Sequence, residues 1–131
     1  MTLELINPDD LPLPESYTHV VVATGTRMVF VAGQVAEDGE GDLVASGDLV
    51  GQARQAFANL GRALAAAGAR PEQVTKLTIY VVAHRPEYLP DISAARIAVF
   101  GAHKPADTIV GVETLAEAGR LIEVDAMAVV D

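Results

Sequence analysis

Two carboxylates near the end of the chain have the spacing of residues that could share a chemical site. Glu123 and Asp125 interrupt the apolar run Leu121–Val130, and alternate residues of a β-strand point to the same face, about 7 Å apart. If that face is in solvent, the two acids are simply its polar side. If another subunit covers it, they are candidates for proton transfer or for binding an amine. The same face carries Met127, so both interpretations stay open.

No other local pattern predicts a common catalytic, metal or cofactor site. His19, His84 and His103 are far apart in the sequence and do not have the spacing of metal ligands on a helix. The absence of cysteine excludes a disulfide scaffold, a thiolate nucleophile and Cys-ligated zinc. Neither a Gly-x-Ser-x-Gly elbow nor a Walker loop is present. The acidic segment Asp38–Asp42 lacks the EF-hand ligand pattern, which favours a solvated turn.

Charge and composition exclude several classes of partner. With 131 residues the chain has room for one domain, residues 1–131, and its net charge is −9. Nucleic acids and anionic membranes are bound by basic patches, whereas the nine cations here are scattered, so neither partner is expected. No apolar stretch is long enough to span a bilayer, and the first residues do not resemble a signal peptide. We therefore expect a soluble, cytoplasmic domain, and its 50% apolar content favours self-association.

The clearest predicted element is a helix over residues 48–67. Its apolar residues recur every three or four positions, Asp48 or Ser46 can cap its start, and Gly68 can end it. The inward face of this helix is expected to carry Leu49, Ala53, Phe57, Leu60 and Leu64. A second helix is predicted at Asp91–Phe100, with Ile92, Ala95, Val99 and Phe100 pointing inward.

Strands are predicted from β-rich or alternating segments on either side of these helices. Two runs joined by a short glycine-containing link suggest one hairpin, and the last two strands suggest another. The predicted strands are Val20–Thr24, Met28–Gln34, a short Leu43–Ala45, Lys76–Ala83, Thr108–Leu115 and Leu121–Val130. This order indicates an α+β fold, a mixed sheet with both helices packed on one face. The other, often apolar, face then needs a cover, which another copy of the chain could supply.

Several segments together resemble the reactive-intermediate deaminase superfamily (Rid, or YjgF-like). The match extends in register from Tyr17 to Val130. The segments that carry it are Val31–Gln34, Ala53–Leu60, Ala66–Gly68, Val74–Val81, Pro105–Ala106 and Leu121–Ala126. The resemblance implies a chorismate-mutase-like fold and a homotrimer with three small-molecule clefts between subunits.

The resemblance also implies an activity and site residues. The best-known members hydrolyse enamines and imines, such as 2-aminoacrylate, to 2-keto acids and ammonia without a cofactor or metal. Tyr17 matches a tyrosine at the cleft mouth, and Gly33 matches a glycine whose backbone lines the pocket. Glu123 matches a glutamate that positions water or the substrate nitrogen.

Two positions depart from the family pattern. The arginine that follows the Pro-Ala pair and holds the substrate carboxylate is replaced by Asp107, and Ala32 stands where a serine is common. We therefore expect weak or absent 2-aminoacrylate deamination. If the closing hairpin brings Asp107 beside Glu123, the pocket should prefer amines to keto or imino acids. Alternatively, Asp107 turns to solvent, or Arg96 or Arg120 of a neighbouring subunit neutralises it.

Two functions are compatible with the sequence. One is a cofactor-independent hydrolase that acts on an imine-, enamine- or amine-type metabolite in the intersubunit cleft. The other is a non-catalytic ligand-binding or structural trimer that kept the fold and lost the carboxylate anchor. The endoribonuclease activity attached to some relatives is disfavoured by the net charge of −9.

Overall fold

Two helices pack against one face of a four-stranded mixed sheet in the computed structural model, which describes all 131 residues. The elements in chain order are β1 (Thr2–Ile6), β2 (Val20–Thr24), β3 (Arg27–Val35), α1 (Leu49–Ala66), β4 (Val74–Val82), α2 (Leu89–Phe100), β5 (Ala106–Val112) and β6 (Ile122–Val130). Short 3-10 turns at Pro71–Gln73 and Pro86–Tyr88 precede β4 and α2. The predicted α+β class and the mixed sheet are confirmed. Neither helix has both the length and the apolar character needed to cross a lipid bilayer.

The first predicted hairpin is wrong, because β2 and β3 do not pair with each other. β2 pairs with β1, a strand that the sequence analysis missed, and β3 pairs with β6. The amide of Thr26 donates to the carbonyl of Val130 (3.1 Å), and the amide of Thr18 donates to that of Pro105 (3.3 Å). These bonds tie the two ends of β2 to the end of β6 and the start of β5. The two-stranded ribbon is therefore held at one end of the main sheet.

The closing hairpin is also wrong, since the strand order β3-β6-β4-β5 places β4 between β5 and β6. β5 lies parallel to β4 at the sheet edge, a pairing that needs a crossover connection, and α2 supplies it. Residues 113–121 then carry the chain past β4 to β6, which runs antiparallel to both β4 and β3. The predicted strand at Leu43–Ala45 is reduced to a single bridge between Glu37 and Leu43.

The local signals of the first helix are confirmed. The Asp48 carboxylate accepts a hydrogen bond from the amide of Gly51 (3.1 Å) and caps α1. Gly68 follows the helix with φ of +72°, a conformation that glycine adopts without strain. The predicted inward residues Ala53, Phe57, Leu60 and Leu64 are all fully buried. They pack on alternate residues of β4 and β6, mainly Val74, Leu77, Ile79, Val81, Ile122, Val124, Ala126 and Ala128.

The opposite face of the sheet, called the open face below, has no helix on it. It carries exposed apolar side chains at Met28 (65% exposed), Phe30 (68%) and Met127 (39%). Single exposed apolar residues are normal, but neighbouring ones on one sheet face are typical of an interaction surface. The prediction that another copy covers this face stays a prediction.

Candidate functional site

Glu123 and Gly33, two of the four predicted site residues, are in contact on the open face. The β3–β6 register shifts between Val31 and Gln34, and this irregularity brings Gly33 beneath the Glu123 side chain. A Cβ atom added at Gly33 would lie 2.4 Å from Glu123 Oε2, far inside van der Waals contact. Glycine is therefore required for the carboxylate to lie in this position.

Asp125 and Tyr80 complete this group. As predicted, Asp125 shares the face of Glu123, and Tyr80 lies opposite Glu123 in the β4–β6 register. The Tyr80 hydroxyl donates to Asp125 Oδ2 (3.2 Å). Burial and, secondarily, the charge of Asp125 raise the pKa of Glu123 above its usual value. The negative charge of Asp125, followed by burial, raises the pKa of the Tyr80 hydroxyl.

This group can exchange protons, because a carboxyl with a raised pKa is a better base toward water than an ordinary one. Sequence reasoning did not single out Tyr80. The sequence shows that Tyr80 alternates with the buried residues of β4, but it does not show that β4 pairs with β6, the strand that carries Asp125. No group of three or more carboxylate or imidazole side chains is close enough to hold a metal ion together.

Asp107 lies on the other face of the sheet and not beside Glu123. It is opposite Leu77 in β4, whereas Glu123 is opposite Tyr80, and residues three apart in a strand point to opposite faces. The expectation of two carboxylates side by side within one chain is therefore wrong. Asp107 instead lines a cleft of about 760 Å³ between α2 and the edge strand β5. Burial raises its pKa to about 6, although the charges of Arg96 and Lys76 oppose the shift.

Arg96 of the same chain faces Asp107 across this cleft. From the sequence, Arg96 is expected to neutralise Asp107 only from a neighbouring subunit. Its side chain is almost completely buried, with the residue 3% exposed, and burial lowers its pKa. The sequence did contain a signal, since Arg96 lies four residues from both Ile92 and Phe100, which point inward on α2.

Tyr17 belongs to the segment that leads into β2. Its ring packs edge-to-face against His19, with 5.4 Å between ring centroids. Its neighbours Glu15 and Ser16 line the cleft that contains Asp107. The four predicted residues therefore fall into two groups within one chain. Gly33 and Glu123 are together on the open face, and the Tyr17 segment adjoins the Asp107 cleft at the other side of the sheet.

Comparisons with known proteins give a consistent result. The model of the endoribonuclease L-PSP family matches residues 11–130. A RutC family protein from Synechocystis sp. is 32% identical over 136 residues, covering 98% of this chain and 98% of that protein. A RutC family protein from Pyrococcus horikoshii is 28% identical, covering 86% of this chain and 96% of the relative.

Solved structures show the same likeness in three dimensions. A protein of unknown function from Yersinia pestis, described as YyfB of the conserved Rid protein family, superposes with a TM-score of 0.92 and 38% identity. That match covers 98% of this chain and 99% of the other. A YjgF/YER057c/UK114 family member from Mycobacterium tuberculosis superposes with a TM-score of 0.64 at 28% identity, covering 86% of each chain. The similarity to the Yersinia chain includes the segments that carry both groups of site residues.

Proposed function

The chain belongs to the endoribonuclease L-PSP family, the Rid or YjgF-like proteins, and we propose that it binds an imine-, enamine- or amine-type metabolite and hydrolyses the C=N bond of the imine form. The observation that carries the proposal is the Glu123 carboxylate. It lies against Gly33, is partly withdrawn from water, and has a raised pKa because of burial and Asp125. A carboxylate in this setting is suited to take a proton from water and return it to a leaving nitrogen.

The proposed reaction needs no group beyond the chain and water. Glu123 accepts a proton from water as the water oxygen bonds to the carbon of the C=N group, and the nitrogen takes up a proton. The resulting carbinolamine then loses its C–N bond as a proton moves from its hydroxyl to the nitrogen. One imine and one water give one carbonyl compound and one ammonia. An enamine first takes up a proton on carbon and gives one from nitrogen, which converts it to the imine.

We place the reacting molecule in a cleft between subunits of a homotrimer. The resemblance to the family supports this arrangement, and so does the distribution of site residues. Glu123 lies on the open face, which has no helix on it, so a second chain is needed to enclose a molecule bound beside this carboxylate. The exposed Met28 and Phe30 beside this face offer the apolar surface that a subunit contact would bury.

A non-catalytic ligand-binding or structural trimer is the second candidate, and Asp107 is the observation that favours it. A negative side chain at the position of the carboxylate-binding arginine weakens binding of 2-aminoacrylate. We therefore expect little turnover of that compound even if other imines are hydrolysed. RNA cleavage, which the family name suggests, is not proposed because the net charge is −9.

The activity is tested by generating imines in solution with an amino-acid oxidase and following release of the carbonyl product. We expect release faster than the spontaneous rate, with loss of the excess rate in Glu123→Gln. Glu113→Gln is the matched control, because Glu113 is exposed and lies outside both groups of site residues. If no imine is hydrolysed faster than spontaneously while small molecules still bind, the non-catalytic alternative is correct.

The assembly is tested separately by light scattering coupled to gel filtration. We expect a trimer at micromolar concentration and dissociation in Phe30→Glu, which puts a charge on the open face. A monomeric wild-type chain would remove the intersubunit cleft from the proposal. The chemistry of Glu123 would then have to act within one chain.

A further inference from the structure

The cleft between α2 and β5 contains a buried arginine that forms no ion pair within the chain. Arg96 is 3% exposed, and its Nη1 atom is enclosed without a hydrogen-bond acceptor. The ion pairs of this structure involve Met1, Arg70 and Arg120 but not Arg96, so no carboxylate is within 4.0 Å of its nitrogens. Burying this charge opposes folding, and the charge of Asp107 offsets that cost only in part, so a group that pairs with the guanidinium on binding is expected.

The shape of a guanidinium indicates which group that is. Its planar fork of N–H donors matches the two oxygens of a carboxylate and forms two parallel charge-assisted bonds. Arg96 lines the cleft together with Ser93, which is three residues earlier on the same face of α2. Nη1 itself is enclosed, so a small carboxylate entering the cleft would bond to the other guanidinium nitrogens, from which no group of the chain accepts a hydrogen bond.

The charges around the cleft are balanced. Arg96 and Lys104 are its cations, and Glu15 and Asp107 are its anions. Asp107, on the strand that faces α2, can accept from an ammonium group while Arg96 donates to a carboxylate. A ligand with both charges satisfies the two groups at once, whereas a simple anion or cation satisfies only one.

The rest of the lining is mostly apolar. Side chains of both α2 and the sheet contribute, and the volume of about 760 Å³ is within the usual range for small-molecule sites. The large apolar side chains are Ile79, Leu89, Ile92, Ile97 and Ile109. They would contact the hydrocarbon part of a ligand whose charged ends lie at Arg96 and Asp107.

We propose that this cleft binds a free α-amino acid with an apolar side chain, Arg96 holding its carboxylate and Asp107 its ammonium group. The proposal goes beyond the hydrolysis described above, because an amino acid has no C=N bond and its binding does not require Glu123. Failure of the imine assay would leave this proposal intact.

Isothermal titration calorimetry on the full-length protein tests the proposal with three matched probes. They are L-leucine, 4-methylpentanoate, which lacks the amine, and 3-methylbutylamine, which lacks the carboxylate. Leucine should bind at least about tenfold more tightly than either single-charge probe, because it pairs with both groups. Equal affinities for the three probes, or no binding of leucine at millimolar concentration, would overturn the proposal.

Variants assign the two ends of the ligand. Arg96→Met should weaken binding of leucine and of 4-methylpentanoate by about tenfold or more and leave the amine unchanged. Asp107→Asn should weaken leucine and the amine and leave 4-methylpentanoate unchanged or tighter. Arg54→Met is the control for Arg96, since Arg54 is exposed on α1. Unchanged leucine affinity in Arg96→Met would contradict the assignment.

Thermal unfolding separates a binding role from a structural one. If Arg96 serves binding, Arg96→Met should unfold at the same or a higher temperature than the wild type at about pH 4.5, where the Asp107 carboxyl is protonated in the folded chain and does not need the charge of Arg96. A large loss of stability would mean that Arg96 supports the fold and would refute the proposed role. If Arg96→Met does not fold, Asp107→Asn still tests the proposal, because leucine should then bind this variant no more tightly than 4-methylpentanoate does.

Discussion

Replacing Asp107 by asparagine should stabilise the ligand-free protein at neutral pH. Burial raises the pKa of this carboxyl from 3.8 to about 6, despite the opposing charges of Arg96 and Lys76. At pH values above about 6 the carboxyl is ionised in both the folded and the unfolded chain, and the folded chain bears the cost of desolvating it. At pH values well below 3.8 it is protonated in both states, so the cost disappears. The contribution of Asp107 therefore becomes more unfavourable as pH rises from about 4 to about 6.

The size of the effect follows from the pKa difference. About two pH units at 1.36 kcal/mol each correspond to about 3 kcal/mol for a fully buried group. Asp107 keeps part of its surface in solvent, which screens its charge, so we expect about half of that value, roughly 1.5 kcal/mol. For a chain of this length such a change raises Tm by about 5 °C.

Urea denaturation of the wild type and Asp107→Asn at about pH 4.5, 5.5, 6.5 and 7.5 measures this dependence. The difference in unfolding free energy between the two proteins should grow across this series and level off above about pH 6.5. Asp10→Asn, which changes an exposed aspartate in the segment before β2, should show no such trend. A variant that is less stable than the wild type at pH 7.5 would refute the reasoning, because it would show that Arg96 more than compensates for burial.

Three further substitutions test the groups around the sheet. Gly33→Ala should displace the Glu123 carboxylate, which lies 2.4 Å from the added Cβ, and should therefore abolish most imine hydrolysis while changing the unfolding free energy by less than about 1 kcal/mol. Full activity of this variant in the kinetic assay would contradict the role of the contact between Gly33 and Glu123. Tyr80→Phe should lower the unfolding free energy from thermal unfolding by about 1 kcal/mol, because Asp125 loses its hydrogen bond. An unchanged Tm would show that this hydrogen bond makes no net contribution to stability. Gln52→Ala should lower the unfolding free energy measured by urea denaturation by about 2–4 kcal/mol, because this buried side chain makes three hydrogen bonds to the backbone of two loops. A decrease of less than about 1 kcal/mol would mean that water replaces these hydrogen bonds.

The features that follow from neighbouring residues were predictable from the sequence. The apolar spacing of α1, its Asp48 cap and its end at Gly68 depend on interactions within one or two turns. The shared face of Glu123 and Asp125 depends only on the alternation of a strand. The class of fold, and the family resemblance that spans most of the chain, follow from such patterns taken together.

Tertiary structure decided which strands pair and therefore which residues meet. Periodicity determines the face on which a side chain lies, but it does not determine the neighbouring strand, because backbone hydrogen bonds carry no residue identity. The parallel pairing of β5 with β4 separated Asp107 from Glu123 and turned it toward Arg96 on α2. The approach of Glu123 to Gly33 likewise depends on a register shift between β3 and β6, strands that are about 90 residues apart in the chain. Both groups of site residues are products of long-range packing, in which burial of the apolar face selects one arrangement of strands from several that local patterns allow.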